Sequence, residues 1–187
     1  MKRIVILASG SGSNAENIIR HFKENPKIKV AAVLTNKITA AVLERCTRLD
    51  VPAFYFNAQA FRDADGLLSL LRGQAPDLIV LAGFLWKMPA PILEAFPGKI
   101  VNIHPALLPK YGGKGMYGEK VHRAVVESGE RESGISIHFV DENYDQGDII
   151  FQAKVPVLPS DGPQDLAEKV HALEYEHFPR VIEKLLS

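Results

Sequence analysis

The first twenty-two residues narrow the choice of fold more than any other stretch. Arg3-Ile4-Val5-Ile6-Leu7-Ala8 is an unbroken aliphatic and β-branched run, suited to a strand buried on both faces of a parallel sheet. Ser9-Gly10-Ser11-Gly12-Ser13-Asn14 follows at once, and Ile18, Ile19 and Phe22 then recur at helical spacing until Asn25-Pro26 stops the pattern. Strand, glycine loop and helix in that order are the opening of an α/β fold.

The alternation repeats. Strands are expected over 29–35, 53–56, 77–81 and 100–104, separated by helices over 39–49, 62–74 and 89–95. After His104 the segment 105–115 holds two prolines and three glycines, a density that neither helix nor strand tolerates. A short helix over 119–127 comes next, then strand-like runs over 135–140 and 149–155 joined by a turn at 141–148. The last two read as an antiparallel addition at the sheet edge. A closing helix carries Leu166, Val170, Leu173, Val181 and Leu185 at spacings near three and four, with Pro179 expected to kink or interrupt it. The expected architecture is an open, mostly parallel Rossmann-like α/β sheet with an antiparallel edge and a C-terminal helix.

The 187 residues, 47% hydrophobic and 24% charged, suit one domain with one sizeable core, 1–187. Within it, a phosphate-binding part over about 1–100 and a catalytic part over about 82–187 are expected. Lys plus Arg equals Asp plus Glu at 22 each, so no global field draws the chain to nucleic acid or an anionic membrane. An anionic ligand must be caught locally. The single Cys46 rules out an internal disulfide framework, and the start of the sequence lacks a signal-peptide apolar region, so a cytoplasmic setting is expected. No apolar run approaches the about 20 residues that cross a bilayer. The histidines lack the close spacing of zinc sites, and no metal is expected.

Three places carry chemical signals. The loop Ser9–Asn14 opens a helix whose unpaired N–H groups and positive dipole end favour an anion. Its Gly-x-Gly lacks the third glycine of the dinucleotide fingerprint, so a monophosphate fits better. A tight turn with Ser13 or Asn14 acting only as helix cap is the competing reading. Asn102 and His104 stand two apart on a strand, hence on one face at its C-terminal end, where open α/β sheets place ligands. An amide and an imidazole there can steady an oxyanion and move a proton, while a lone histidine also suits a core. Asp145, before Gln146-Gly147, either shapes a turn or supplies a carboxylate to His104.

Asn102-Ile103-His104-Pro105-Ala106-Leu107-Leu108-Pro109 resembles the signature of the folate-dependent formyltransferases. The early glycine loop, Ala82-Gly83-Phe84-Leu85-Trp86 and Asp145 fall in that family's order, so the resemblance spans nearly the whole chain. It implies 10-formyltetrahydrofolate as donor and, in the branch it most resembles, phosphoribosyl glycinamide as acceptor. It also implies that Asn102, His104 and Asp145 are catalytic, with Asp145 favouring the imidazolium of His104. Gly12, Ser13 and Asn14 would hold the acceptor's phosphate and Glu174 its amine. Leu85, Trp86, Lys87, Met88 and Asn102 would meet the folate, with Arg62 at its glutamate or at the phosphate. Small-molecule partners and a monomer or weak homodimer are expected.

Ala106 replaces the signature's usual serine, and the glycine-rich loop 111–121, longer than in better-known members, suggests a lid. His138 faces the site or packs away, and His171 stands where relatives carry a polar residue near the phosphate. A formyl-tRNA-type transferase would carry a further C-terminal domain and a basic surface, and a formyl-folate hydrolase a segment before the first strand. A nucleotide-binding module without catalysis would leave Asn102, His104 and Asp145 without a role.

Overall fold

In the computed structural model, which describes residues 1–63 and 66–187, the aliphatic opening run is the interior strand β1 (Lys2–Leu7). Side chains along a strand face opposite ways in turn. Ile4, Ile6 and Ala8 therefore enter one core, Val5 and Leu7 another, and all five are fully buried.

The chain continues through α1 (Ser13–Phe22), β2 (Ile28–Thr35), α2 (Val42–Leu49), β3 (Ala53–Tyr55), α3 (Ala58–Arg62), α4 (Leu67–Gln74), β4 (Leu78–Leu81), α5 (Ala90–Ala95) and β5 (Ile100–His104). These five strands pair in parallel. Then come α6 (Glu119–Glu127), the antiparallel strands β6 (Glu132–Phe139) and β7 (Ile149–Pro156), and α7 (Pro163–Leu186). The sheet order is β3-β2-β1-β4-β5-β6-β7, the open, mostly parallel arrangement with an antiparallel edge that the sequence implies. Travel from β1 goes one way to β2 and the other way to β4, so the loops leaving β1 and β4 diverge and open a crevice between them.

One face of the sheet is covered by α1, α2, α6 and α7, with Phe22, Cys46, Val125 and Phe178 among the buried side chains. The other is covered by α4 and α5, with Leu67, Leu71 and Ile92 inside. No helix among the described residues is long and apolar enough to cross a membrane.

Four elements depart from expectation, the first being the helix expected over 39–49, which starts only at Val42. The helix expected over 62–74 is divided: Arg62 ends α3, α4 starts at Leu67, and residues 64 and 65 lie outside the described residues. Asn57 starts α3, its side-chain oxygen accepting from the Ala60 N–H at 2.8 Å, a cap that shifts the first helical turn upstream. The strand β6 begins at Glu132, three residues before the expected 135, because Ser133 and Gly134 pair with β7. Finally, α7 runs unbroken for 24 residues with Pro179 buried inside it. A proline strands the carbonyl four residues earlier. Here that carbonyl, on Tyr175, accepts from the Asn17 side chain of α1 at 2.9 Å, so the helix continues with its polar group satisfied.

Candidate active site

A cleft of about 490 Å³ lies at the C-terminal ends of β1, β4 and β5. The loop leaving β1 forms one end of it. Gly12, at φ +74°, is the N-cap of α1, and no side chain caps the helix. The reading of Ser13 or Asn14 as a mere cap therefore falls: both already lie inside the helix, and their N–H groups belong to its unpaired first turn. A Cβ at Gly12 would drive into Val42 at the start of α2, so this position needs glycine for space as well as for φ. Arg45 of α2 secures the loop by donating to the Ser11 carbonyl at 2.7 Å while pairing with Glu16. Ser9 ties it to the β4 loop, its N–H donating to Gly83 O at 3.1 Å and its Oγ accepting from Leu85 N–H at 3.0 Å.

Across the cleft, β5 presents Asn102 and His104, while Val101 enters the core and Ile103, packed in the same core, also reaches the cleft wall. Antiparallel pairing sets Asn102 opposite His138 of β6. His138 Nδ1 lies 2.7 Å from the Phe139 carbonyl, which makes it the N–H donor and leaves Nε2 to accept. That acceptor takes a hydrogen bond from the Asn102 amide nitrogen at 3.1 Å. The same nitrogen lies 3.5 Å from Asp145 Oδ1, a long contact that an incoming oxygen can replace. His138 thus faces the site.

Asp145 does both things its sequence context suggested. It turns the chain, at φ +55°, and its Oδ2 reaches to 3.6 Å from His104 Nδ1. The same oxygen accepts from Gly113 N–H at 2.9 Å, which fastens the glycine-rich loop to the site. Beneath the turn, a Cβ at Gly147 would meet the Phe139 carbonyl, so glycine lets the turn lie against β6. The other nitrogen of His104, Nε2, is 2.7 Å from the carbonyl of Tyr111, so Nε2 carries the proton and Nδ1 faces the carboxylate as the basic atom.

Burial pushes the His104 pKa down, and it outweighs the upward pull of Asp145 and of the Tyr111 carbonyl. For Asp145 burial raises the pKa, but the neighbouring His138 and His104 rings and the bond from the Gly113 N–H together hold it below its ordinary value.

At the loop end of the cleft, Glu174 of α7 is 4% exposed, yet its Oε2 accepts from Asn14 Nδ2 and from His171 Nδ1, each at 2.8 Å. That bond to Glu174 raises the pKa of His171. His122 of α6 also lines the cleft; it is buried, its pKa is lowered first by burial and then by His171, and its Nδ1 has no partner.

The segment expected to meet the folate is split by its packing. Leu85 lines the cleft, whereas Trp86 packs with Phe61 at a ring distance of 5.0 Å, Met88 is buried in the second core and Lys87 is exposed. Of these four side chains, only that of Leu85 lines the cleft. Arg62 is exposed at the end of α3 and is not among the cleft-lining residues. Ala106, in the position of the usual serine, is fully buried; its carbonyl accepts from Ser136 Oγ at 2.7 Å, and Ser136 in turn accepts from Leu108 N–H at 2.9 Å. Among the described residues, no group of three or more His, Cys, Asp or Glu is placed to hold a metal ion.

The formyl transferase family pattern matches residues 2–182, which includes every wall of this cleft. The chain belongs to the formyl transferase family. Among relatives, the phosphoribosylglycinamide formyltransferase of Haemophilus influenzae is 38% identical over 188 residues, covering 97% of this chain and 86% of that protein. The chloroplastic phosphoribosylglycinamide formyltransferase of Arabidopsis thaliana is 39% identical over 97% of this chain, which spans only 64% of that protein. The crystal structure of glycinamide ribonucleotide transformylase 1 from Symbiobacterium toebii superposes with a TM-score of 0.90 at 35% identity, covering 100% of this chain and 88% of that one. Such formyl transferases share this fold across the entire chain.

Sequence reasoning left His138 undecided and missed Tyr111, Gly113 and Lys37, which also lines the cleft. The pairing of Asn102 with His138 follows from the β5–β6 register, and the long connection between those strands, which carries α6, does not fix that register in the sequence. Backbone partners such as the Tyr111 carbonyl leave no mark in the sequence.

Proposed function

We propose that this formyl transferase moves the formyl group of 10-formyltetrahydrofolate to the amine of phosphoribosyl glycinamide. One observation supports this above the rest: Asn102, His104 and Asp145 converge at the end of β5, on the same cleft as the Gly12–Asn14 loop and Glu174. One end suits a phosphate and the other acyl transfer. The lining between them, with Phe84, Leu85, Ile103, Met116 and Tyr144, offers apolar cover for a flat ring system.

The loop and the first turn of α1 fix the phosphate, and Glu174 accepts hydrogen bonds from the donor groups of the same substrate. Holding both ends delivers the amine to the formyl carbon. As the carbon–nitrogen bond forms, the Asn102 N–H exchanges its long contact with Asp145 for the developing oxyanion. His104 Nδ1 takes the amine proton, and Asp145 stabilises the imidazolium so formed. The same nitrogen returns the proton to the folate nitrogen as the old carbon–nitrogen bond breaks. The reading places the reaction in the cytoplasm, with small molecules as partners, a monomer or weak homodimer, and no metal in any step.

A spectrophotometric transfer assay, with and without phosphoribosyl glycinamide, tests it. Turnover should require the acceptor and fall by roughly a hundredfold or more in His104→Ala. Folate consumption without acceptor would instead identify a hydrolase.

A further inference from the structure

The charge lining the cleft is the wrong sign for the substrate proposed above. Three carboxylates, Glu119, Asp145 and Glu174, line it, and among the described residues Lys37 is the only lysine or arginine that does. A phosphate monoester carries close to two negative charges at neutral pH, while a helix N-terminus supplies only about half a positive one. The nearby arginines are already engaged: Arg20, Arg45 and Arg48 all converge on Glu16, and Arg45 also holds the Ser11 carbonyl.

Lys37 differs from them in three ways. It is exposed, it pairs with no carboxylate among the described ion pairs, and its backbone is held in place. Its N–H donates to Thr35 Oγ1 at 3.3 Å and its carbonyl accepts from Ala40 N–H at 3.0 Å, forming the turn between β2 and α2. That turn abuts the glycine loop, since Val42 N–H donates to the Gly10 carbonyl at 3.3 Å and Ala8 N–H to Leu34 O at 3.0 Å. The cleft therefore receives from the end of β2 the full charge that the loop lacks.

We infer that Lys37 is the cationic contact for the acceptor's phosphate and the residue that selects phosphorylated over unphosphorylated amines. It acts on binding and not on acyl transfer, because Asn102, His104 and Asp145 occupy the opposite part of the cleft. This inference rests on the phosphorylated acceptor proposed above.

The test compares wild type, Lys37→Met and Lys37→Arg. Steady-state kinetics with phosphoribosyl glycinamide give KM and kcat separately, and 31P NMR titration with ribose 5-phosphate gives phosphate affinity without turnover. Loss of a charge-assisted contact should raise KM about ten- to a hundredfold in Lys37→Met with kcat within about twofold of wild type, and weaken ribose 5-phosphate binding equally. Lys37→Arg should restore most of both, which a purely structural role would not do. Unchanged KM and ribose 5-phosphate affinity in Lys37→Met would overturn the inference, as would a fall in kcat alone. Wild-type protein that binds ribose 5-phosphate through Lys37 yet shows no transfer would instead refute the proposed acceptor and leave the lysine's role standing.

Discussion

His104 shows how a single residue's chemistry depends on a balance that distance and burial set. Its carboxylate neighbour alone argues for an imidazolium, but 3.6 Å of separation and nearly complete burial leave burial dominant. The acid limb of kcat/KM, which reports the free enzyme, should therefore lie below 6.5, the ordinary histidine value. Asp145 pulls the His104 pKa upward, so Asp145→Asn should move that limb to still lower pH. The same change should lower the maximal rate by about 10- to 100-fold, because the imidazolium formed in turnover loses its countercharge. A pH–rate profile checks both. An acid limb that stays in place in Asp145→Asn would show that the carboxylate acts on His104 by some route other than its charge.

At the scale of elements, the contacts that seat α1 against α2 and against α7 give separate expectations. Gly12→Ala combines a positive φ with a clash against Val42, and should cost about 1–3 kcal/mol while opening the anion loop. Asn17→Ala should cost about 0.5–1.5 kcal/mol by removing the side-chain partner of the Tyr175 carbonyl near Pro179, read as a lower midpoint in urea. The strands, their parallel order and the antiparallel edge were legible because aliphatic runs and turn residues report local burial and local geometry. Pro179 was not, because its remedy lies 162 residues away in Asn17, and no local pattern records that. The packing of Trp86 and Met88 was not legible for a related reason: an apolar segment after β4 does not record which of its side chains turns inward. Lys37 left no motif, since an isolated lysine in a turn is usually a solvated surface charge.

For the whole molecule, buried histidines set the acid side of stability. His104 and His122 both have folded pKa values below the unfolded one, so the unfolded chain binds more protons as pH falls. Their contribution is present above about pH 6.5 and is lost as pH drops through the folded values. His171 has the opposite sign: its bond to Glu174 stabilises fully below 6.5 and weakens as pH rises through its raised value. Melting temperature should thus fall between pH 7 and pH 5, and His122→Asn should flatten that fall. The same tier of structure governs reactivity. Because a main-chain carbonyl, that of Tyr111 at φ +57°, decides which imidazole nitrogen is basic, no side-chain substitution at position 111 can remove the partner itself. The basic nitrogen of His104 is therefore chosen by loop length and shape, and an insertion or deletion between Pro109 and Gly113 would change that choice while Asn102, His104 and Asp145 stayed in place.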